Sequence, residues 1–161
     1  MRTIIDFINE TNKEIFNDIV EDFTQSFYKS KSKEAVESKE ASESNEVTEL
    51  HMHKILFFIY GSFYKQFKIK LWEPNFEAWK YGPVEVNYRN FKKLDKSINI
   101  DELNIIQKKF LNEKIQSLLK TSIWNIVEFS HSLNCWINHY NSDNNKISTD
   151  EIMNDFLEIL F

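Results

Sequence analysis

Only four of the 161 residues are glycine or proline, and three of the four fall in one eleven-residue stretch, EPNFEAWKYGP, at positions 73–83. Helix interiors disfavour both types, glycine for its backbone entropy and proline for its missing N–H and its clash with the preceding turn. A chain this poor in breakers is committed to helices over most of its length, with one sharply turned segment. Within that segment Pro74 suits the second position of a type I turn and Asn75 the third. The flanking "KLW" and "FEAWKY" are therefore expected to form a small hairpin around Glu73-Pro74-Asn75. Pro83 suits the first position of a helix, with Glu85 in its first turn, Val84, Tyr88 and Phe91 on one face, and Lys92, Lys93 and Lys96 at its end. Along extended chain, side chains alternate, which puts Phe76 and Ala78 on one side and Trp79 and Tyr81 on the other.

The remaining elements are read from periodicity. Ile4, Ile5 and Ile8, then Ile15, Ile19, Phe23 and Phe27, recur at helical spacing. "TNKE" at 11–14 has the form of a capping box, so the segment reads as two helices parted near Asn9 and Thr11 or as one long helix. Residues 29–46 contain no aromatic residue and only Ala35, Val36 and Ala41 as apolar groups. Such a run buries too little surface to offset its ordering entropy and reads as a mobile insertion or a solvated helix extension. From Thr48, "TELHMHKILFFIYGSFYKQF" is apolar over most of a helix surface and is expected to be the central buried helix. Residues 101–112 and 113–130 read as two more helices, and "STDE" at 148–151 as the cap of a last one bearing Ile152, Phe156, Ile159 and Leu160. The expected fold is mainly α, a single helical domain of about six or seven helices with one small β-hairpin. Its parts are an N-terminal helical segment at 1–28 packed on the core, a charged flexible insertion at 29–47, and the main domain at 48–161.

Composition excludes several function classes. With Gly61 and Gly82 as the only glycines, the chain cannot write a P-loop, a dinucleotide fingerprint or a glycine-flanked nucleophile elbow. A lone Cys135 forms no intramolecular disulfide and rules out cysteine-rich zinc folds. Together with apolar runs too short to span a bilayer, it points to a cytoplasmic protein without membrane insertion. Charge is uneven. Residues 50–120 carry 13 basic and 7 acidic groups, between two acidic flanks. That basic centre suits nucleic acid or an acidic protein partner, or else solvated helix faces and C-terminal turns.

Two arrangements resemble chemistry. His131, Cys135 and His139 fall at i, i+4 and i+8, which on one helix would give three zinc ligands on a face. The surrounding "HSLNCWINHYNSDNN" is rich in Asn and Ser, which interrupt helices, so a structural His131 near Trp136 is the expected arrangement, with no metal or cofactor. Glu73 and Glu77 resemble an acid–base pair, but 25 acidic residues bring such neighbours together by chance. No catalytic residue is expected. Trp72, Trp79 and Tyr81 read either as packed rings or as an aromatic patch for a protein partner.

Three segments together resemble the Panacea, or SocA-like, antitoxin family, also met as phage-associated proteins of mobile elements. They are "TELHMHKILFFIYG" at 48–61, "FEAWKYGPVEVNYRNFKKL" at 76–94, and "VEFSHSLNCW" at 127–136. His51 and His53 stand where the family usually has Lys and Gln, Ser130 where it has Thr, and Cys135 where it has Pro before Trp136. The resemblance implies a non-enzymatic antitoxin that binds a cognate toxin protein encoded in the adjacent gene, with a protease or chaperone as a further partner. Other roles met in such systems are an adaptor delivering the toxin to a cytoplasmic protease and a DNA-binding regulator of the operon. The implied contact residues are Trp72, Trp79, Tyr81, Arg89, Lys92 and Lys93. Phe76, Ala78, Gly82, Pro83, Val84, His131 and Trp136 are implied as the structural motif.

Overall fold

The computed structural model describes the backbone of residues 1–30 and 47–159, and the side chains of 1–18 and 47–159. The charged insertion expected at 29–47 lies almost wholly outside the described residues, as do Leu160 and Phe161. The described residues form seven α-helices, one short 3-10 helix and a three-stranded antiparallel sheet. The mainly α class expected from the sequence is the one observed.

Helix α1 spans Ile4–Ser30 without a break at "TNKE". The reciprocal cap sits earlier, where Asp6 N–H donates to Thr3 Oγ1 (3.1 Å) and Thr3 N–H to Asp6 Oδ2 (3.0 Å). Thr11 instead sends its hydroxyl to Asn112 Oδ1 at 3.3 Å, tying α1 to the core. Ile4, Phe7 and Ile8 are buried there.

Helix α2 spans Glu49–Phe67, with Thr48 Oγ1 accepting from His51 N–H. Every residue from Met52 to Phe63 is buried, because strands and helices surround it on all sides. Its end is set by Lys68, which takes a left-handed conformation (φ 59°) and donates its N–H to Tyr64 O.

The hairpin is present but displaced. Strands β1 (Phe76–Trp79) and β2 (Gly82–Glu85) pair across the two-residue turn Lys80-Tyr81, with Trp79 opposite Gly82 and Phe76 opposite Glu85. The expected turn at Pro74-Asn75 is instead the entry to β1, fixed where Asn75 N–H donates to Glu85 Oε2 at 3.0 Å. Pro83 likewise does not start a helix. It lies within β2, opposite Ala78, on the edge of a sheet ordered β2-β1-β3, where a strand loses nothing by a missing N–H. Strand β3 (Lys146–Ile147) covers the other edge of β1. The alternation holds, since Phe76 and Ala78 are buried and Trp79 is exposed.

Helix α3 is only Val86–Arg89, begun by Glu85 Oε1 accepting from Asn87 N–H. The expected helices 101–112 and 113–130 are divided differently. Ile100–Glu102 is 3-10, α4 runs Ile105–Lys120 from a capping box of Asn104 and Gln107, and α5 runs Ile123–Ser130. The break falls at Thr121-Ser122, where both residues leave the helical conformation (ψ 140° and 131°). Helix α6 is Asn134–Ile137, and α7 is Thr149–Glu158, capped by Ser148 and Glu151 as expected.

Gly61 explains how α7 closes on α2. A Cβ there would lie 2.2 Å from Cε2 of Phe156, so only glycine lets that ring rest on the helix backbone.

Candidate functional site

The three sequence segments that carry the family resemblance meet at one buried point. Lys54, from the middle of α2, is wholly buried and donates from Nζ to Pro83 O at 2.8 Å. Gly82 has φ +112°, and a Cβ on it would lie 2.6 Å from Ser130 Oγ and 2.8 Å from Lys54 Nζ. The glycine is thus required twice, by its backbone conformation and by the two side chains against it. Ser130, at the end of α5, donates to Val127 O at 2.7 Å. A lysine ammonium without a carboxylate partner is costly to bury, and burial lowers the Lys54 pKa to about 7.

A second layer of the same junction locks β2 to α2. His53 Nδ1 accepts the N–H of Glu85 at 3.2 Å, so its proton sits on Nε2, facing Glu49 Oε1 at 3.4 Å. Burial holds His53 neutral, with its pKa lowered to about 4. The Glu85 carboxylate accepts from Trp72 Nε1 (2.9 Å), Asn75 N–H and Asn87 N–H. Burial raises its pKa, and these three donors oppose the rise.

The far end of the hairpin is tied by a column of rings. His131 stacks on Trp136 (centroids 4.0 Å apart) and Trp136 on Tyr140 (4.6 Å), while Trp136 Nε1 donates to Trp79 O at 2.8 Å. His131 thus lies beside Trp136, packed against its ring. The zinc-like triad does not assemble. Cys135 is buried with its N–H on Asp155 Oδ2 and its thiol pKa pushed up by burial. His139 binds Asn144 O and Glu151. Among the described residues no group of three or more His, Cys, Asp or Glu is placed to hold a metal ion. Nor do Glu73 and Glu77 act as a pair: Glu73 meets Lys70, and Glu77 accepts from Trp79 Nε1 and Asn145 Nδ2.

Held this way, the tip presents Trp79 (38% exposed) and Tyr81 (44%), and Tyr81 meets the edge of Trp124 from α5, itself 59% exposed, at 5.8 Å. Of the six expected contact residues, these two are together. Trp72 is a correction: it is buried, tilted against the Tyr60 ring and hydrogen-bonded to Glu85, and so offers no surface to a partner. Arg89, Lys92 and Lys93 lie beyond the opposite end of β2, with Arg89 paired to Glu49 at 3.2 Å. The structural set of Phe76, Ala78, Gly82, Pro83 and Val84 is buried throughout. Sequence reasoning missed Trp124, which no spacing links to the hairpin. It also passed over Lys54, whose signal was available as a lysine enclosed by apolar residues in "HKILFFIY".

The family model for the SocA-like antitoxins, Panacea domain, matches residues 52–154, well over half of the chain, and covers the second and third converging segments and residues 52–61 of the first. The chain belongs to the SocA-like Panacea family. No curated protein and no solved structure matches it. Membership supports an antitoxin-like role for this Panacea domain and a protein as the kind of partner. Among the described residues no helix is long and apolar enough to cross a membrane. In this Panacea domain Lys54, Gly82 and Ser130, one from each segment of the resemblance, meet at the buried junction, and the exposed Trp79 and Tyr81 stand at its outer end.

Proposed function

We propose that this Panacea domain is the antitoxin of a toxin–antitoxin pair, that it neutralises its toxin by occluding it through direct binding, and that it catalyses no reaction. The observation that carries the reading is the exposed Trp79 and Tyr81 at the tip of a hairpin braced by Lys54 and Trp136, with Tyr81 against the exposed Trp124 of α5. Tryptophan and tyrosine dominate the energetics of protein interfaces because they bury large areas with few torsions to freeze, and bracing removes part of the remaining ordering cost. The basic centre favours this reading over nucleic acid, since its charges are dispersed. Lys54 is buried, Lys65 binds Ile159 O, and Lys70, Arg89 and Lys109 pair with carboxylates.

The test is co-expression of the adjacent small open reading frame with and without this chain, scoring growth, complex formation and toxin abundance. Rescue with a stable complex is expected, weakened by at least about 2 kcal/mol in Trp79→Ala or Tyr81→Ala as for interface hot spots. Rescue with falling toxin abundance and no stable complex would replace occlusion by delivery for degradation. A harmless neighbour that does not bind would remove the proposal.

A further inference from the structure

Independently of the hairpin tip, a second surface has the features of a binding groove. Helix α3 ends in a Schellman motif: Lys92 N–H donates to Asn87 O (2.8 Å) and Phe91 N–H to Tyr88 O (3.1 Å). Phe91 occupies the left-handed position of that motif, at φ 59°, where glycine or asparagine is usual. An aromatic side chain in this conformation is strained, and here the strain gains no packing, because Phe91 is 94% exposed.

Phe91 stands at the rim of an open groove of about 740 Å³, within the range of sites that take several side chains. Its walls include Ile5, Tyr88 and Leu94, and its rim carries Lys92 and Lys93. The one carboxylate on the lining, Glu49, is already paired with Arg89. Lys92 and Lys93 form no ion pair among the described residues. An apolar floor with an uncompensated cationic rim is complementary to bulky apolar side chains flanked by carboxylates.

We propose that this groove docks an acidic peptide segment of a partner protein, with a bulky apolar side chain seated between Phe91 and Tyr88 and carboxylates on Lys92 and Lys93. Affinity then falls with salt, and Phe91 trades folding stability for binding.

The test uses the full chain as bait for a random dodecapeptide display library, followed by anisotropy titrations of fluorescein-labelled copies of the enriched peptides. Enrichment of sequences with a Phe, Leu or Trp within four residues of two or more Asp or Glu is expected. Phe91→Gly, which relieves the backbone strain, is expected to raise Tm and weaken those peptides at least tenfold. The Lys92→Glu, Lys93→Glu double variant should weaken them at least tenfold with Tm little changed, and Trp79→Ala should leave their affinity alone. No enrichment of acidic–apolar peptides, or binding that survives Phe91→Gly, overturns the proposal. So does a concentration-dependent dimer, seen by light scattering, that is abolished by Phe91→Gly, because a second copy would then fill the groove.

Discussion

The two halves of α2 are equally buried and are built by opposite means. From Phe57 onward it packs rings on rings. Phe57 meets Phe76 (5.2 Å) and Phe156 (5.7 Å), Phe58 meets Phe129 and Phe156, and Phe63 continues through Phe67 to Phe110. Its N-terminal half buries His53 and Lys54 and directs each at a backbone group of β2. Ring packing is large but only weakly directional, so it holds helices together without specifying where a four-residue edge strand should lie. Hydrogen bonds from Lys54 and to His53 do specify it, because any slip of β2 would strand buried polar groups without partners. The difference teaches that this fold obtains cohesion from one half of the helix and hairpin position from the other.

Breaking the aromatic half should cost most. Phe156→Ala empties the space above Gly61 and is expected to destabilise by about 3–5 kcal/mol, measured by urea unfolding. A loss below about 1 kcal/mol would show that the ring does not carry the contact between α7 and α2. Gly82→Val attacks the polar half, adding a branched side chain at φ +112° against Ser130 and Lys54. The expected loss is about 2–4 kcal/mol from strain and overpacking, and an unchanged Tm would contradict the junction as described. Glu85→Gln keeps the shape of the site but offers one acceptor oxygen to three donors. A loss of about 1–3 kcal/mol is expected, with a shift in Trp72 fluorescence that Phe156→Ala does not reproduce in the same way.

The smallest effect is the most specific to the polar half. Because burial lowers the folded pKa of Lys54 to about 7, from 10.5, the unfolded chain binds more protons between those values. The Lys54 contribution to stability therefore rises with pH across that window, by about 1 kcal/mol over the first unit above pH 7. His53, lowered to about 4 from 6.5, adds a rise of the same sign between pH 4 and 6.5. Lys54→Met should abolish the upper rise and keep the lower one. A wild-type stability that is flat from pH 7 to 9 would mean that Lys54 remains charged in the folded state.

The long elements were legible because their cues are local. Thr48 and Ser148 are caps with side chains in place, and Ser148 closes a full capping box, whereas the box of Asn104 and Gln107 that starts α4 went unread and the break between the expected helices 101–112 and 113–130 was misplaced. The run after Thr48 announced a helix with no solvent face. The hairpin was legible in existence and in side-chain alternation but not in position. Pro74-Asn75 and Lys80-Tyr81 are both acceptable turns locally, and the choice between them is made by Glu85, which captures Asn75 N–H and the Trp72 indole from a distance in sequence. The same nonlocal bond withdrew Trp72 from the surface, where its spacing with Trp79 and Tyr81 had grouped it. The site was half legible. Trp79 and Tyr81 could be named from the sequence, whereas Trp124 meets Tyr81 only because α5 folds back beside the turn.

By itself, the sequence determined that this chain would be mainly helical, with one turned segment and a central helix apolar over most of its surface, because breaker scarcity, caps and apolar periodicity act within a few residues. Tertiary structure decided where the hairpin turns, why Gly82 must be glycine, which aromatic rings reach solvent, and that Phe91 would be held strained above an open groove. Each of these depends on a contact between residues remote in sequence, such as Lys54 with Pro83 and Trp136 with Trp79. Local propensity carries no information about contacts of that kind.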